Sequence, residues 1–529
     1  MRFGIKEDAR FLTGRGRYVA DIDFVRQAHA VLVFSPHAHA RIRAVDKAAA
    51  EQMPGVYAVL TGEDWAADGL GTIDPEVMAE DMGGPKGYRT KRPPRAQGRV
   101  RYVGERVAVV VAATEEQARD AAELVSVDYD VLPAVVRAED AVRPGAPLVH
   151  DGAANNISFT MRMGNAEAVD PAFARAHHIA RLSLYNNRLT AVTMEPRGCI
   201  GDYDPGTRRW TLFSSTQNVH GTRQILAHQI LHVPESRIRV VARDVGGGFG
   251  MKHNVYPEEA IILWAARRVG RPVKWIPTRS EALLGDNQGR DQYVNAELAL
   301  DSYGRFLALR WTGSHNVGAY IEGAGAIPII FSLKLASTVY DIPAVAVTSS
   351  LVFTNTAPTA PYRGAGRPEA VYIMERLVGQ AAHEMRIDPA ELRKKNLIRP
   401  DAFPYETRTG WRYDTGNYAA AMAKCQALAD WMAMPSGVPA AKPPANTAAT
   451  CSAAVSISSN IAEGSSRSSR NDYARFIEIA AGSLFEAVSQ ATIGRNQQFL
   501  TEAEYQRLYQ AAEKQSKMLS GLRRSLDTA

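Results

Sequence analysis

The chain has 529 residues, of which 46% are hydrophobic and 22% charged, and its formal net charge is +6. This length exceeds what one hydrophobic core supports, so we expect two to four domains. The composition is that of a globular enzyme, and the mild positive charge, without a block of like charges, argues against nucleic acid or an anionic membrane as the partner.

Residues 1–140 carry the pattern of a mixed α/β domain. The β-branched run Arg106–Ala113 has no helical period and predicts a buried strand. A helix is predicted to follow from Thr114, a capping residue, to Val125. Its apolar face consists of Ala118, Ala121, Ala122 and Val125. The alternating stretch beyond it predicts a strand that Pro133 ends, and the three elements together predict a compact α/β unit.

Residues 141–430 continue with strands and helices separated by glycine-rich turns. Proline at the first helical position and Gly270 as the stop predict a helix over Pro257–Val269, with a short strand after it. A second helix is predicted over Asp388–Leu397, with Asp388 as its cap.

The composition changes after residue 430. Residues 431–450 are rich in Pro, Ala, Ser and Thr and predict a linker. Residues 451–529 predict two amphipathic helices, the second beginning with Thr501 and Glu504 in capping-box spacing. The predicted buried stripes are Tyr473, Phe476, Ile477, Ala480, Leu484, Ala487 and Val488, and then Tyr505, Leu508, Ala512, Leu519, Leu522 and Leu526. Two such helices need each other and a third partner to bury these stripes.

The stretch DVGGGFGMK, Asp244–Lys252, places four glycines around one phenylalanine at the end of a predicted strand. Glycines there permit positive φ and bring backbone N–H groups close to a ligand, often an anion or an oxo group. A tight turn without a ligand is the alternative. The spacing fits neither a P-loop nor the GxGxxG dinucleotide fingerprint.

Two further stretches point to the same kind of site. APYRGAGRPEA, Ala360–Ala370, brackets Arg363 and Arg367 with glycines, and an arginine fixed in such a loop suits an oxyanion or a phosphate. A structural arginine tied to a carbonyl or carboxylate is the alternative. Gln217 follows the predicted strand WTLFSS and would offer an amide donor and acceptor to a cleft, although alone it is more often a surface residue.

Cysteine usage and hydropathy restrict the compartment. Cys199, Cys425 and Cys451 are far apart, which argues against a disulfide framework and against a thiolate-built iron–sulfur or zinc site. Three unpaired cysteines favour a reducing compartment. No apolar run reaches the roughly 18 residues of a spanning helix, and the first residues are not a secretory signal. We therefore expect a cytoplasmic protein that neither spans nor binds a membrane.

Together the three motif stretches resemble the molybdenum-binding large subunits of the xanthine dehydrogenase, aldehyde oxidase and carbon monoxide dehydrogenase family. The resemblance extends over residues 3–430. It is also carried by RFLTGRGRYVADID (10–23), SPHAHARI (35–42), PGVYAVLTGED (54–64), YVGERVAVVVAAT (102–114) and MEPRG (194–198). It implies an α+β fold, in which residues 1–140 form an α/β hammerhead-like domain and residues 141–430 the first half of the molybdenum-cofactor-binding domain.

The resemblance also implies a site and a reaction. The cofactor-binding residues would be Gln217, Gly247, Gly248, Phe249, Gly250, Arg363, Gly364 and Ala365. Molybdenum would lie near Gln217, Phe249 and Arg363, held by a molybdopterin of the cytosine dinucleotide form. The implied reaction is hydroxylation, in which oxygen from water enters the substrate and two electrons leave through the metal; the protein supplies positioning and electrostatics.

The residues around this implied site bear on the substrate. His253 stands where purine-oxidising members carry a carboxylate, and Ala365 stands where they carry an aromatic. No cysteine lies in YRGAGR, which argues against the copper–sulfur–molybdenum site of the carbon monoxide-specific members. The sequence resembles the form II group, so His253 and Ala365 would line a pocket for an aldehyde or an N-heterocycle.

The implied electron route leaves this chain. It carries no iron–sulfur motif and no flavin fingerprint, so we expect neither an iron–sulfur cluster nor FAD in it. The resemblance implies an iron–sulfur small subunit and an FAD-binding medium subunit as partners in a hetero-oligomer.

The chain departs from the family after residue 430. The second half of the cofactor-binding domain is not recognisable there, nor is its GxGE-like glutamate, the general base. Instead Ala453–Ala487, with SNIAEG and FIEIAAGSL, resembles the four-helix bundle proteins encoded in ribosomal RNA intervening sequences, so 451–529 would be a partial bundle. We therefore expect a molybdenum hydroxylase large-subunit fragment with impaired catalysis. A non-catalytic fusion protein, whose helical tail mediates oligomerisation, is the alternative.

Several residues have an ordinary structural interpretation. A base encoded in this chain would have to be Glu195, Glu258 or Glu369, but each is more readily a member of an ion pair. His37 and His39 have the spacing of neighbours on one face of a strand, yet no third metal ligand is in sight, so we interpret them as structural. Lys252 is interpreted as a charge at the end of an element rather than a phosphate ligand, and SSRSSR (465–470) as a solvated turn rather than an RNA contact.

Overall fold

The structure, a computed structural model, describes residues 8–428 and 500–527 of the chain. Between these ranges it describes residues 477, 480, 481, 484, 487, 488, 491, 492 and 495. Two units are distinguished, Met1–Met422 and Ala423–Ala529. The predicted linker, residues 431–450, and Tyr473 and Phe476 of the predicted stripe lie outside the described residues.

Strands dominate the first unit. In chain order they are β1 (Ala28–Phe34), β2 (Ala40–Asp46), β3 (Val56–Thr61), β4 (Arg99–Val100), β5 (Arg106–Ala112), β6 (Ser126–Val131), β7 (Ile157–Gly164), β8 (His178–Asn186), β9 (Cys199–Asp204), β10 (Arg209–Ser214), β11 (Ile238–Val241), β12 (Val273–Trp275), β13 (Gln292–Leu300), β14 (Phe306–Gly318), β15 (Ala344–Phe353), β16 (Tyr405–Glu406) and β17 (Arg412–Tyr413).

Helices connect and cover these strands. In chain order they are α1 (Asp8–Leu12), α2 (Ala48–Glu51), α3 (Gly62–Ala67), α4 (Glu115–Glu123), α5 (Ala138–Ala141), α6 (Val169–Ala174), α7 (Val219–Ile225), α8 (Pro257–Val269), α9 (Arg279–Gly285), α10 (Ile327–Lys334), α11 (Arg367–Met385), α12 (Pro389–Asn396), α13 (Tyr418–Leu428) and α14 (Glu502–Asp527). A π-helix, Leu226–Leu231, continues α7. Short 3-10 helices cover Val19–Asp21, Glu80–Met82, Ala154–Asn156, Ala166–Ala168, Glu235–Arg237 and Pro400–Ala402.

The largest sheet has seven strands in the order β11-β10-β9-β12-β1-β5-β3. It joins strands of both predicted domains, because β1 pairs in parallel with β12 at Ala28 and Val273. β5 is buried along its whole length, since alternate residues face two different cores: Val109 and Val111 one, Val110 and Ala112 the other. Burial on both faces explains why its sequence does not alternate. The boundary near residue 140 stays a prediction.

A second sheet has five strands in the order β7-β15-β14-β13-β8. Helices α10 and α11 cover one face and form the largest apolar core with it. On the opposite face, α6 packs over a small apolar cluster, and Arg181, Asn295 and Arg310 are among the residues of the polar part beside it. A small sheet, β4-β2-β6, and the hairpin β16-β17 complete the set. The observed architecture is therefore α+β, as predicted.

The predicted helices of the first unit are confirmed. α8 covers Pro257–Val269 and ends at Gly270, whose φ is +62°. The Thr114 side chain caps α4 by accepting from the Gln117 N–H, and the Asp388 side chain caps α12. The predicted compact unit around α4 differs in one respect, because β5 and β6 lie in different sheets. β6 pairs with β2 instead.

The helical second unit is partly as predicted. The Thr501 and Glu504 side chains form the predicted capping box at the start of α14. Ile477, Ala480, Leu484 and Leu519 form a small buried core. Leu508 was predicted to be buried but is 42% exposed, because it borders an open groove between the helices rather than their core. Among the described helices, none is long and apolar enough to cross a membrane.

Candidate functional site

Three stretches that are distant in the sequence meet at one place in the first unit. We call Asp244–Lys252 the glycine loop and Ala360–Arg367 the arginine loop; Gln217 lies just beyond the end of β10. The Gly250 N–H donates to Oε1 of Gln217 at 2.9 Å. The Arg363 N–H donates to the carbonyl of Phe249, also at 2.9 Å. The fold therefore brings together the three motifs that the sequence singles out.

The glycines of the glycine loop are required by space and by backbone conformation. A Cβ on Gly246 would lie 2.4 Å from Cβ of Glu195, and one on Gly248 would lie 2.4 Å from Cδ of Gln217. Gly247 and Gly250 have φ values of +91° and +90°. Steric contact or backbone conformation disfavours a side chain at each of these four glycine positions. Neighbouring residues thus come into direct contact with its backbone.

The meeting point of the loops presents unused hydrogen-bond donors. Within the described residues, the N–H groups of Gly248 and Phe249 have no protein acceptor, although Gly248 is buried. The Gln217 amide accepts through its oxygen, which leaves its NH2 group available to a ligand. The exposed Arg363 guanidinium contacts no carboxylate or carbonyl in the part of the chain that the structure describes. Orphaned buried N–H groups are rare, so this cluster suits an anionic or oxo ligand.

The remaining predicted site residues lie on the same two loops or beside them. Phe249 has φ +53° and is 41% exposed. Gly364 and Ala365 also have positive φ, +98° and +42°. The His253 N–H donates to the carbonyl of Gly250 at 3.0 Å, which places His253 directly after the glycine loop. The geometry is compatible with the predicted pocket, and the roles of these residues stay predictions.

A buried ion pair supports the glycine loop from beneath. One carboxylate oxygen of Glu195 accepts from the Gly246 N–H at 2.7 Å and from Nζ of Lys252 at 3.0 Å. Lys252 is 1% exposed, and burial lowers its pKa. The interpretation of Lys252 as a charge at the end of an element was wrong. The lysine is an internal anchor that ties the last residue of the loop to the carboxylate bound at its start.

A second buried cluster lies behind this pair. Glu258 accepts from the guanidinium groups of Arg106 and Arg197. Burial opposes ionisation of Glu258, but the two arginines prevail and lower its pKa to about 2. Its neighbour Glu259 accepts from the Ser214 hydroxyl, and burial raises its pKa. The pKa values of these adjacent residues shift in opposite directions because Glu258 accepts from two arginines, whereas Glu259 accepts from a hydroxyl.

The arginine loop has its own ion pair. Arg290 contacts Glu369 at 2.9 Å, and the same carboxylate oxygen accepts from the Gly366 N–H at 2.9 Å. Glu195, Glu258 and Glu369 are thus all ion-pair members, as predicted, and none presents a carboxylate to the unused donors. The role of Arg290 was not predicted, since nothing in GRD (289–291) distinguishes a buried arginine from a surface one.

The histidine pair is structural, although not in the way predicted. His37 and His39 lie before β2 and not on a strand. Nδ1 of His39 is 2.7 Å from the carbonyl of Pro133, and the His37 ring contacts the edge of Tyr129. Among the described residues there is no group of three His, Cys, Asp or Glu that could hold a metal ion.

Family models match three parts of the chain. Residues 149–397 match a molybdopterin cofactor-binding domain, and residues 13–133 match the a/b hammerhead domain of aldehyde oxidase and xanthine dehydrogenase. Residues 438–521 match the 23S rRNA-intervening sequence protein. The three matches follow the order in which the sequence analysis places the three resemblances.

Curated relatives match about four-fifths of the chain. The chain is 35% identical to a carbon monoxide dehydrogenase large chain of Hydrogenophaga pseudoflava, over 81% of this chain and 54% of that one. It is 34% identical to a nicotine 6-hydroxylase large subunit of Paenarthrobacter nicotinovorans, over 81% and 51%. The chain therefore spans about half the length of the curated relatives it matches.

Solved structures give the same picture. Quinoline 2-oxidoreductase from Pseudomonas putida 86 matches with a TM-score of 0.77 and 35% identity, over 81% of this chain and 54% of that one. Carbon monoxide dehydrogenase from Oligotropha carboxidovorans matches with a TM-score of 0.75 and 32% identity, over the same shares.

Proposed function

Because the chain belongs, over residues 13–397, to the xanthine dehydrogenase, aldehyde oxidase and carbon monoxide dehydrogenase family of molybdopterin-binding large subunits, we propose that it binds a molybdenum cofactor at the junction of its glycine and arginine loops. The observation that carries this proposal is the cluster of unused donors there: two backbone N–H groups, the Gln217 amide and the Arg363 guanidinium. The comparisons do not favour the alternative of a non-catalytic fusion protein.

Each residue of the junction has a role that its chemistry suits. The Gly248 and Phe249 N–H groups and the Gln217 NH2 would donate to oxygen atoms of the cofactor. Arg363 would place a fixed positive charge beside them, and Gly247, Gly250, Gly364 and Ala365 would give the loops their close approach. When bound, the cofactor supplies the two-electron oxidation. We propose the cytosine dinucleotide form, as the family resemblance implies.

The proposed substrate is an aldehyde or an N-heterocycle. Two of the similar proteins are named for their action on nicotine and quinoline, both N-heterocycles. In this chain His253 and Ala365 would border the substrate, as neither provides the carboxylate nor the aromatic expected for a purine. The ring of Phe249, which is 41% exposed, would offer an aromatic surface to a flat apolar ring.

We also propose that the chain works in a cytoplasmic hetero-oligomer. Its free cysteines, buried Cys199 and exposed Cys425 among those described, form no cluster that could carry electrons. An iron–sulfur small subunit and an FAD-binding medium subunit would therefore receive the electrons.

Hydroxylation by the chain alone is proposed to be impaired. A general base must lie within hydrogen-bond reach of the proton it removes. The three glutamates singled out from the sequence are each held by a cation: Glu195 by Lys252, Glu258 by Arg106 and Arg197, and Glu369 by Arg290. These three glutamates are therefore not free to act as the base.

The direct test is the molybdenum content per chain, measured by elemental analysis together with pterin fluorescence. The full chain is purified from a host that makes the cofactor, with iron–sulfur and flavin subunits co-expressed. We expect close to one molybdenum and one pterin per chain, and little oxidation of a quinoline or an aldehyde. A folded, monodisperse chain without molybdenum would overturn the proposal.

Two variants show whether bound metal sits at the proposed junction. Gln217→Ala and Arg363→Ala remove donors from exposed side chains, so the fold should persist while molybdenum falls at least several-fold. Arg208→Ala removes another exposed arginine, after β9, and serves as the control. Equal molybdenum in all four proteins would place the cofactor elsewhere.

A further inference from the structure

We propose that Arg290 is a positioning residue, which holds the arginine loop in the conformation that presents Arg363 to the glycine loop. Arg290 lies in the segment before β13, more than seventy residues away from the loop in sequence. It is outside the cluster of unused donors and is buried, so it acts through the loop and not on a ligand.

The guanidinium of Arg290 is divided among three acceptors. Nη2 donates to the carbonyl of Arg363 at 2.8 Å, and Nη1 donates to the carboxylate of Glu369 at 2.9 Å and to the carbonyl of Tyr362 at 3.3 Å. Its carbon atom also lies 5.1 Å from the centre of the Tyr362 ring. A planar guanidinium can reach two adjacent carbonyls and a carboxylate at once, which the single ammonium of a lysine cannot.

These contacts hold a backbone segment that has unusual dihedral angles. Gly364, Ala365 and Gly366 have φ values of +98°, +42° and +90°, so three consecutive residues are in the left-handed half of conformational space. Arg290 and Asp291 also have positive φ, +65° and +68°. A left-handed residue other than glycine costs of the order of 1 kcal/mol, and such residues persist only where neighbouring contacts determine them. The Arg290 side chain links these two strained segments.

Through Arg363, the contacts of Arg290 also affect the glycine loop. The carbonyl of Arg363 is held by Arg290, while the N–H of the same residue donates to Phe249. A Cβ on Gly250 would lie 2.5 Å from the carbonyl of Pro361, so the two loops also touch there. Release of Arg290 would therefore allow Arg363 to turn and would loosen its contact with Phe249, which widens the junction where the donors converge.

Limited proteolysis with trypsin measures how readily the arginine loop opens, and it requires no cofactor. The Arg363–Gly364 bond is exposed, whereas the Arg367–Pro368 bond resists trypsin because proline follows it. Cleavage of the first bond requires the loop to open locally, so its rate follows the opening free energy. The full chain is digested under native conditions, and the fraction cut after Arg363 is followed by mass spectrometry.

We compare the unchanged chain with Arg290→Gln, Arg290→Lys and Arg393→Gln. Arg393 pairs with Glu375, on the same helix as Glu369 but away from the loop, so Arg393→Gln controls for the loss of an ion pair on α11. We expect Arg290→Gln to raise the cleavage rate about tenfold, Arg290→Lys to give a smaller increase, and Arg393→Gln to leave the rate unchanged. Equal rates for Arg290→Gln and the unchanged chain, or the same increase in Arg393→Gln, would overturn the inference.

Molybdenum content provides the second measurement and rests on the proposed function. We expect Arg290→Gln to retain several-fold less molybdenum than Arg393→Gln at equal yield of folded chain. If the unchanged chain holds no molybdenum, the proposed function fails while the proteolysis still decides the role of Arg290. If Arg290→Gln opens the loop but keeps full molybdenum, the residue fixes the loop only, and its role toward the cofactor is refuted.

Discussion

The glycine loop and the arginine loop solve the same structural problem in different ways. Both contain left-handed residues, and both are fixed by a buried ion pair whose carboxylate also accepts a glycine N–H from the loop. In the glycine loop the cation is Lys252, part of the loop itself. In the arginine loop the cation is Arg290, which comes from a distant segment. Each loop therefore takes one partner of its ion pair from a distant segment: the glycine loop takes the carboxylate of Glu195, and the arginine loop takes the cation of Arg290.

The two loops also use their glycines differently. The space beside Gly246, Gly248 and Gly250 is taken by Glu195, Gln217 and Pro361, which belong to the junction. The space beside Gly364 and Gly366 is taken by Pro368 and by the backbone of α10, which belong to the framework. We infer that glycines of the first loop admit the groups that shape the site, while those of the second let the chain turn sharply before α11.

The largest effect is expected at Glu195, the carboxylate that holds the glycine loop. Glu195→Ala leaves Lys252 buried without its charge partner and leaves the Gly246 N–H without an acceptor. Removal of one partner of a buried pair costs about 3–5 kcal/mol. We therefore expect a loss of that size in the free energy of unfolding, measured by urea denaturation monitored by tryptophan fluorescence.

The double variant Glu195→Ala, Lys252→Met separates the unpaired charge from the lost packing. It should recover more than half of the loss, because no buried charge then remains unpaired. Arg399→Gln breaks an exposed pair with Asp401 and should cost no more than about 0.5 kcal/mol. A Glu195→Ala protein as stable as Arg399→Gln would show that the pair does not anchor the loop.

Acid should reduce the free energy of unfolding through His315 and through Glu258 at different pH values. Burial, reinforced by nearby Arg188 and Arg290, lowers the pKa of His315 to about 3. The unfolded chain takes up this proton near pH 6.5, so the neutral histidine reduces stability progressively as pH falls from 6.5 towards 3. Glu258, behind the glycine loop, has a pKa of about 2, so its contribution is complete above pH 4.5 and is lost only between pH 4.5 and 2.

The protonation of His315 should produce a measurable change in the free energy of unfolding with pH. A neutral His315 predicts a loss of about 2 kcal/mol between pH 6.5 and pH 5, which His315→Gln should largely remove. Replacement of Arg290 by Gln should raise the pKa of His315, because a repelling positive charge is removed. Urea denaturation at several pH values and a histidine NMR titration are the measurements. An unchanged pH profile in His315→Gln would rule out this origin of the acid sensitivity.

A smaller effect on stability, but a clear one on the site, is expected for Gly248→Ala. The added Cβ would overlap Cδ of Gln217, a flexible side chain that can move away at the cost of its bond from Gly250. We expect a loss of about 1 kcal/mol in the free energy of unfolding and a several-fold lower molybdenum content. Full molybdenum in this variant would show that the close approach of Gln217 is not needed for binding.

What the sequence predicted well was local or repeated along the chain. The ends of α8, the caps of α4 and α12 and the burial of β5 depend on residues within a few positions of each other. The convergence of Gln217, Phe249 and Arg363 was reached through resemblance to a family, since no periodicity links positions so far apart. Residues whose role depends on distant partners were misjudged or missed: Lys252 is buried beside Glu195, and Leu508 is exposed because it borders an open groove among the described residues of the second unit.

The smallest expected effect provides the counterpart of Gly248 in a helix. Gly379 lies inside α11, has no positive φ, and an added Cβ there would meet no atom within 4 Å. Because alanine restricts the unfolded chain and fits the helix, Gly379→Ala should increase the free energy of unfolding by about 0.5–1 kcal/mol, without a change in molybdenum content. The same urea denaturation measures it. If Gly379→Ala destabilised the protein as much as Gly248→Ala does, alanine would be unfavourable even where space is free. The contact with Gln217 would then not explain why residue 248 is glycine.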